Sequence, residues 1–266
     1  MNLISKAKNV RRKIVTMTSR SNSSHIGAAL STVEVLVALY FSAMKINPSN
    51  PNDLSRDRFL LSKGHACSAL YATLSERGLI TDEELEKFAT DGGVLPGHAT
   101  LALTSGIEAS TGSLGHGLSL GIGFSLGARI DGAPYRTFVL LGDGECDEGS
   151  VWEASMFAGN AKLDNLIAII DYNKLQSFGR TKEVLDLEPL AKKWEAFGWS
   201  VREVDGHDLD ALVKLLNSVP FKPEHPTLII AHTIKGKGIS FTEDRLEWHY
   251  KSLNPEQKES ALEELK

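Results

Sequence analysis

Two oxygen-bearing side chains at the ends of two apolar runs pose the first chemical question. Residues 137–141, Thr-Phe-Val-Leu-Leu, are almost wholly apolar and stop at Gly142-Asp143-Gly144. Such a run reads as a strand buried on both faces, and the two glycines let the chain turn sharply and approach a ligand closely. Residues 150–162 place Val151, Ala154, Met156, Phe157, Ala158 and Ala161 at helical spacing. A second buried run, residues 166–170, ends at Asp171-Tyr172-Asn173. This strand–helix–strand unit predicts parallel strands, with Asp143 and Asn173 just past their carboxyl ends, where open α/β sheets bind ligands. An Asp carboxylate and an Asn amide oxygen are hard ligands. With a backbone carbonyl and phosphate oxygens they suit octahedral Mg²⁺ at roughly 2.0–2.1 Å. The helix start at Gly149 and Ser150 also favours an anion. These residues point to a metal–diphosphate site; the competing reading is a plain Gly-Asp-Gly turn and a turn asparagine.

Histidines recur where a ligand could reach them. His25 stands in the small, polar stretch Ser21–Ser31, where Gly27-Ala28-Ala29 leaves open space. His65 follows Lys63-Gly64 at the first turn of a helix expected over 66–76, beside unpaired backbone N–H groups that could meet a phosphate. Pro96-Gly97 fixes a tight loop that could present His98. His249 lies in Trp248-His249-Tyr250, beyond the basic loop Lys235-Gly236-Lys237-Gly238. Taken singly, these are also ordinary surface, helix-capping or solvated turn residues. The glycine-rich loop over 111–117 is neither GxxxxGK[ST] nor GxGxxG, which excludes a P-loop or Rossmann nucleotide site.

Gly-Asp-Gly, a helical interval, then Asn after an apolar strand resembles the thiamine-diphosphate motif, and the surrounding residues resemble the transketolase family in particular. The resemblance runs from about His25 to His249. It implies that Asp143, Asn173 and the backbone carbonyl of Leu175 hold the metal, Mg²⁺ with Ca²⁺ or Mn²⁺ as substitutes. It implies that His65 contacts the cofactor diphosphate, and that Gly112, Ser113 and Leu114 line the pocket for the cofactor's rings. Gly144 and Lys235 would lie on the cofactor side. Glu148 would join a carboxylate network across a subunit interface. His25 would lie in the substrate channel, His98 would face sugar hydroxyls, and His249 would touch phosphate and substrate. Ser24 and Ile26 depart from the family's Ser-Gly-His-Pro-Gly, and Tyr250 stands where a Gly is usual.

The chain has 266 residues, 42% hydrophobic and 24% charged, enough for one large α/β domain over 1–266 with a parallel sheet and helices on both faces. A net charge of −5 argues against a nucleic-acid partner. No apolar run approaches the roughly 18 residues of a membrane span. Leu3, Ala7, Val10, Ile14 and Met17 recur at helical spacing, so the basic N-terminus is expected to be a docked helix. Two cysteines far apart, Cys67 and Cys146, suit a reducing, cytoplasmic setting.

A full transketolase is more than twice this length. The resemblance therefore implies the diphosphate-binding subunit of a two-chain enzyme. Its partner would be a C-terminal subunit carrying pyrimidine-binding and C-terminal domains, the whole forming a heterotetramer on sugar phosphates or related sugars. Two alternatives are a non-catalytic cofactor-binding protein and a 2-oxo-acid dehydrogenase alpha-type subunit.

Overall fold

The computed structural model describes residues 2–101 and 106–266. The helices are α1 (Leu3–Arg20), α2 (Ile26–Leu30), α3 (Val33–Ala38), α4 (Cys67–Arg77), α5 (Asp82–Glu86) and α6 (Gly117–Asp131). They continue as α7 (Gly149–Asn160), α8 (Thr181–Val184), α9 (Leu190–Ala196), α10 (Leu209–Leu216) and α11 (Pro255–Glu264). The strands are β1 (Arg58–Leu61), β2 (Thr137–Gly142), β3 (Leu166–Tyr172), β4 (Ser200–Asp205) and β5 (Thr227–His232). They form one sheet in the order β1-β2-β3-β5-β4, every neighbouring pair parallel.

Register sorts the strand side chains into two layers. Leu140, Ile169 and Ile229 stand in one row and pack with α1, α3, α4 and α10. Val139, Ala168 and Leu228 stand in the adjacent row and pack with α6, α7 and α9. Both faces of the central strands are thus covered, which is why these runs are continuously apolar rather than alternating. The N-terminal segment docks as expected, with Ala7, Val10, Ile14 and Met17 of α1 buried. Local signals start the helices: Thr81 and Glu84 form a reciprocal capping box on α5, and Asn254 and Gln257 do the same on α11.

One expectation needs correction. The stretch around His25 is not open loop: α2 begins directly after His25 and is buried throughout. A Cβ on Gly27 would lie 3.1 Å from the Trp248 carbonyl oxygen and 3.2 Å from Lys235 Cγ, so the small residues allow close packing, not free space. Beyond α2, α3 runs into a π-helical turn at Leu39–Ala43. Pro189 stands at the N-cap of α9. In α6, Gly121 allows close packing on β2, since a Cβ there would lie 2.5 Å from Val139 Cγ2.

Candidate active site

Asp143 follows β2 and Asn173 follows β3, so two adjacent parallel strands deliver them to one end of the sheet. Asp143 is buried; its Oδ1 accepts the Gly144 N–H at 2.7 Å and its Oδ2 the Lys174 N–H at 2.5 Å. Asn173 Oδ1 accepts the next amide, Leu175 N–H, at 3.1 Å. The two oxygens therefore sit on consecutive amides of one turn, which Lys174 makes by adopting φ 64°. Burial, and then the charge of Asp171, push the Asp143 carboxyl up to about 6. The Lys63 charge only partly offsets this, and a hard cation held by Asp143, Asn173 and the Leu175 carbonyl would stabilise the ionised form. That carbonyl already accepts Lys235 Nζ at 2.8 Å, and a carbonyl oxygen has a second lone pair to offer. Among the described residues, no three His, Cys, Asp or Glu side chains converge as a metal site. A cation here would rely on one carboxylate plus amide and carbonyl oxygens.

Beside this turn the histidines gather from four segments. His25 lies with its ring centroid 5.3 Å from His65, 5.1 Å from His249 and 6.1 Å from His98. Backbone bonding ties the first and last of these segments together, since the His25 N–H donates to the His249 carbonyl at 3.0 Å. His25 itself adopts φ 68° to turn into α2. Burial, then the neighbouring His98 and Lys235, lower the His25 ring to about 4. Burial and then Lys235 lower His249 to about 3, and burial also holds His65 well below its ordinary value. These three rings are neutral at pH 7, able to donate or accept hydrogen bonds and to take up a proton. Ser24 Oγ engages His25 Nδ1 at 2.8 Å, which leaves Nε2 for a substrate.

The glycine loop closes the third side. A Cβ on Gly64 would lie 2.7 Å from the Gly112 nitrogen, and one on Gly112, at φ 135°, would lie 2.8 Å from His98 Cδ2. Glu145 anchors the loop: its carboxylate accepts the Gly115 and Gly142 N–H groups, at 2.9 and 3.0 Å, and the Ser62 hydroxyl.

Together these residues enclose a cleft of about 430 Å³. Its lining takes in His25, His65, His98, His249, Gly112, Leu114, Asp143, Gly144, Glu148, Asn173, Leu175 and Lys235. Of the residues the sequence pointed to, only Ser113 is missing; its side chain is exposed on the loop. Lys235, one reading of which was a solvated turn residue, is buried and bridges the Leu175 carbonyl and His249 Nδ1, each at 2.8 Å. Sequence reasoning passed over Lys63, Glu145 and Asp171. Each is a charged residue immediately beside a recognised motif, and that adjacency was the available signal.

The family model described as transketolase, thiamine diphosphate binding domain, matches residues 4–265. The chain belongs to the transketolase family. It is 44% identical over 255 residues to one of the subunits of the apulose-4-phosphate transketolase of Phocaeicola vulgatus, covering 96% of this chain and 90% of that one. It is also 44% identical to a 6-deoxy-6-sulfo-D-fructose transketolase subunit of Clostridium sp., covering 96% and 93%. The transketolase structure from Campylobacter jejuni superposes with a TM-score of 0.93 at 32% identity, over all of this chain and 43% of that one. The chain thus spans about two fifths of the length of the solved transketolases it matches, 41% in the Leishmania mexicana enzyme. Transketolase membership and the parallel α/β fold expected from the sequence are borne out, and the 2-oxo-acid dehydrogenase alternative gives way.

Proposed function

We propose that this chain is the diphosphate-binding subunit of a two-chain transketolase, which moves a two-carbon ketol unit between sugars using thiamine diphosphate and a divalent metal. One observation carries the reading: Asp143 and Asn173 leave neighbouring parallel strands into the same cleft that holds His25, His65, His98 and His249. When bound, thiamine diphosphate supplies the carbon nucleophile for breaking and remaking the bond beside the ketose carbonyl. Asp143, Asn173 and the Leu175 carbonyl hold the metal, Mg²⁺ or a stand-in Ca²⁺ or Mn²⁺. His65, Lys235 and His249 line the diphosphate side, while Gly112, Ser113 and Leu114 offer backbone to the rings. His25, neutral and with Nε2 free, takes or returns a proton at a sugar hydroxyl, and His98 orients the same hydroxyls. Glu148, at the cleft edge, faces the incoming subunit.

None of the residues that hold the metal and diphosphate can also reach the far ring of the cofactor. A carboxylate from a second chain completes the site, and because such sites form in pairs across a two-fold interface, the assembly is a heterotetramer. The relatives at 44% identity are named for different sugars, so a substrate panel must hold both phosphorylated and sulfonated ketoses. Both cysteines are free and buried, which suits a reducing cytoplasm. Among the described residues, no helix is long and apolar enough to cross a membrane.

The test is a ketol-transfer assay on the purified chain, saturated with thiamine diphosphate and Mg²⁺, with and without the partner chain, beside a mass measurement. Activity should require the partner. Robust turnover by the isolated chain would overturn the two-chain reading.

A further inference from the structure

Asp171 precedes Asn173 by two residues and lies near the end of β3. It is fully buried. Its Oδ2 accepts three hydrogen bonds, from Ser31 Oγ at 2.7 Å, Lys63 Nζ at 2.5 Å and Asn173 Nδ2 at 2.8 Å. Its Oδ1 accepts the Thr233 hydroxyl. Lys63, 1% exposed, completes its own bonding on the Ala28 carbonyl at 3.1 Å.

Each partner belongs to a segment of the cleft. Ser31 closes the helix that begins after His25, Lys63 precedes Gly64-His65, and Thr233 leads into Lys235. The Asn173 contact carries the argument. An ionised carboxylate can only accept and a backbone N–H can only donate. Asp171 on one side and the Leu175 N–H on the other therefore permit one orientation of the Asn173 amide, NH₂ toward Asp171 and Oδ1 toward the turn that holds Asp143. The reverse orientation would set an oxygen against a carboxylate and an NH₂ against an N–H.

We propose that Asp171 is a positioning residue for the metal site: by accepting the Asn173 NH₂ it keeps the amide oxygen, rather than the amide nitrogen, available as a metal ligand. The inference rests on the assignment of Asp143 and Asn173 to the metal. Partners one bond removed from a metal commonly change its affinity by roughly 10–100-fold.

The test measures free Mn²⁺ by electron paramagnetic resonance during titration of the full chain in saturating thiamine diphosphate, with thermal unfolding run on every sample. Two double variants share the loss of the Lys63 charge, so neither strands a buried ammonium. Lys63→Met with Asp171→Asn keeps an acceptor oxygen for Asn173. Lys63→Met with Asp171→Leu removes it. Mn²⁺ should bind the Leu variant at least about tenfold more weakly than the Asn variant, at similar unfolding midpoints. Equal affinities would overturn the positioning role.

If the Leu variant does not fold, Asn173→Asp decides. Ligand charge alone predicts tighter Mn²⁺ binding, whereas repulsion from Asp171 predicts weaker binding that Asn173→Asp with Asp171→Asn restores. Tighter binding by Asn173→Asp alone would overturn the proposal. Asp143→Ala separates the two levels of inference: undiminished Mn²⁺ binding there would remove the metal site itself and the positioning role with it.

Discussion

Replacing Glu34 by Gln should lower folding stability at pH 7 by about 3 kcal/mol and loosen the loop that carries Lys235. Glu34, in α3, is buried and accepts Arg11 Nη1 and Nη2 at 2.6 and 2.8 Å. It also takes a hydrogen bond from His207 Nδ1 at 3.0 Å. The Ile234 N–H donates to His207 Nε2 at 2.8 Å, which places the ring proton on Nδ1, facing Glu34. Arg11 in turn donates from Nε to the Lys237 carbonyl at 2.9 Å, two residues beyond Lys235. Burial alone would raise the Glu34 carboxyl, but hydrogen bonds from His207 and Arg11, with the Arg11 charge, outweigh it and bring the group from 4.5 down to about 2. At 1.36 kcal/mol per pKa unit that difference is roughly 3 kcal/mol, close to the about 3–5 kcal/mol lost when one member of a buried pair is removed. Because the folded-state value is depressed, the stabilisation is complete well above pH 4.5 and is lost as the pH falls toward 2. By pH 4 only a minor part of it, on the order of 1 kcal/mol, has gone. Urea unfolding of the parent and Glu34→Gln at pH 7 and pH 4 reads both effects. A gap under about 1 kcal/mol at pH 7, or one that widens on acidification, would refute the reasoning.

Three further outcomes are expected. Asp143→Ala and Asn173→Ala should each weaken thiamine diphosphate binding at least about tenfold, roughly 1.4 kcal/mol, in calorimetry with Mg²⁺ and the partner chain present; unchanged affinity in both would withdraw the metal assignment. His25→Ala and His98→Ala should keep cofactor affinity but lose about 10²–10⁴-fold in ketol transfer, measured by steady-state kinetics beside a cofactor titration. Gly112→Ala should force a residue with a Cβ into φ 135° and against the His98 ring, at a cost of about 1–3 kcal/mol. Its transfer rate should fall to that of His98→Ala, and a variant with parental kinetics would show that the loop does not set His98.

How much was legible follows from where the signal lies. The apolar runs at 137–141 and 166–170 could be read as parallel strands because covering both faces of a sheet removes any reason to alternate. Asp143 and Asn173 were legible because a parallel crossover fixes which end of the sheet they share. The stretch around His25 misled, because small residues mark close approach without saying whether a ligand or another segment approaches. Here the Trp248 backbone and Lys235 do so. Asp171 and Lys63 were invisible as a pair: they pack on neighbouring segments yet lie far apart in sequence, and a charged residue at a strand end normally reads as solvated. Only the register that sets β2 between β1 and β3 brings them together.

The same pairings bear on how a diphosphate could be held. The cleft is lined by four carboxylates, Asp143, Glu145, Asp147 and Glu148, and by two lysines. Both ammonium groups are committed, Lys63 to Asp171 and the Ala28 carbonyl, Lys235 to the Leu175 carbonyl and His249. Three of the surrounding imidazoles are held neutral by burial and by those same lysines. An anion entering this space meets hydrogen-bond donors but little uncommitted positive charge, and it meets carboxylates that repel it. In the proposed function the divalent cation is therefore no accessory to diphosphate binding but its main electrostatic source. On that reading Asp143, Asn173 and the Leu175 carbonyl would hold the cation by oxygen ligands, leaving the neutral histidines free for proton transfer to and from the sugar.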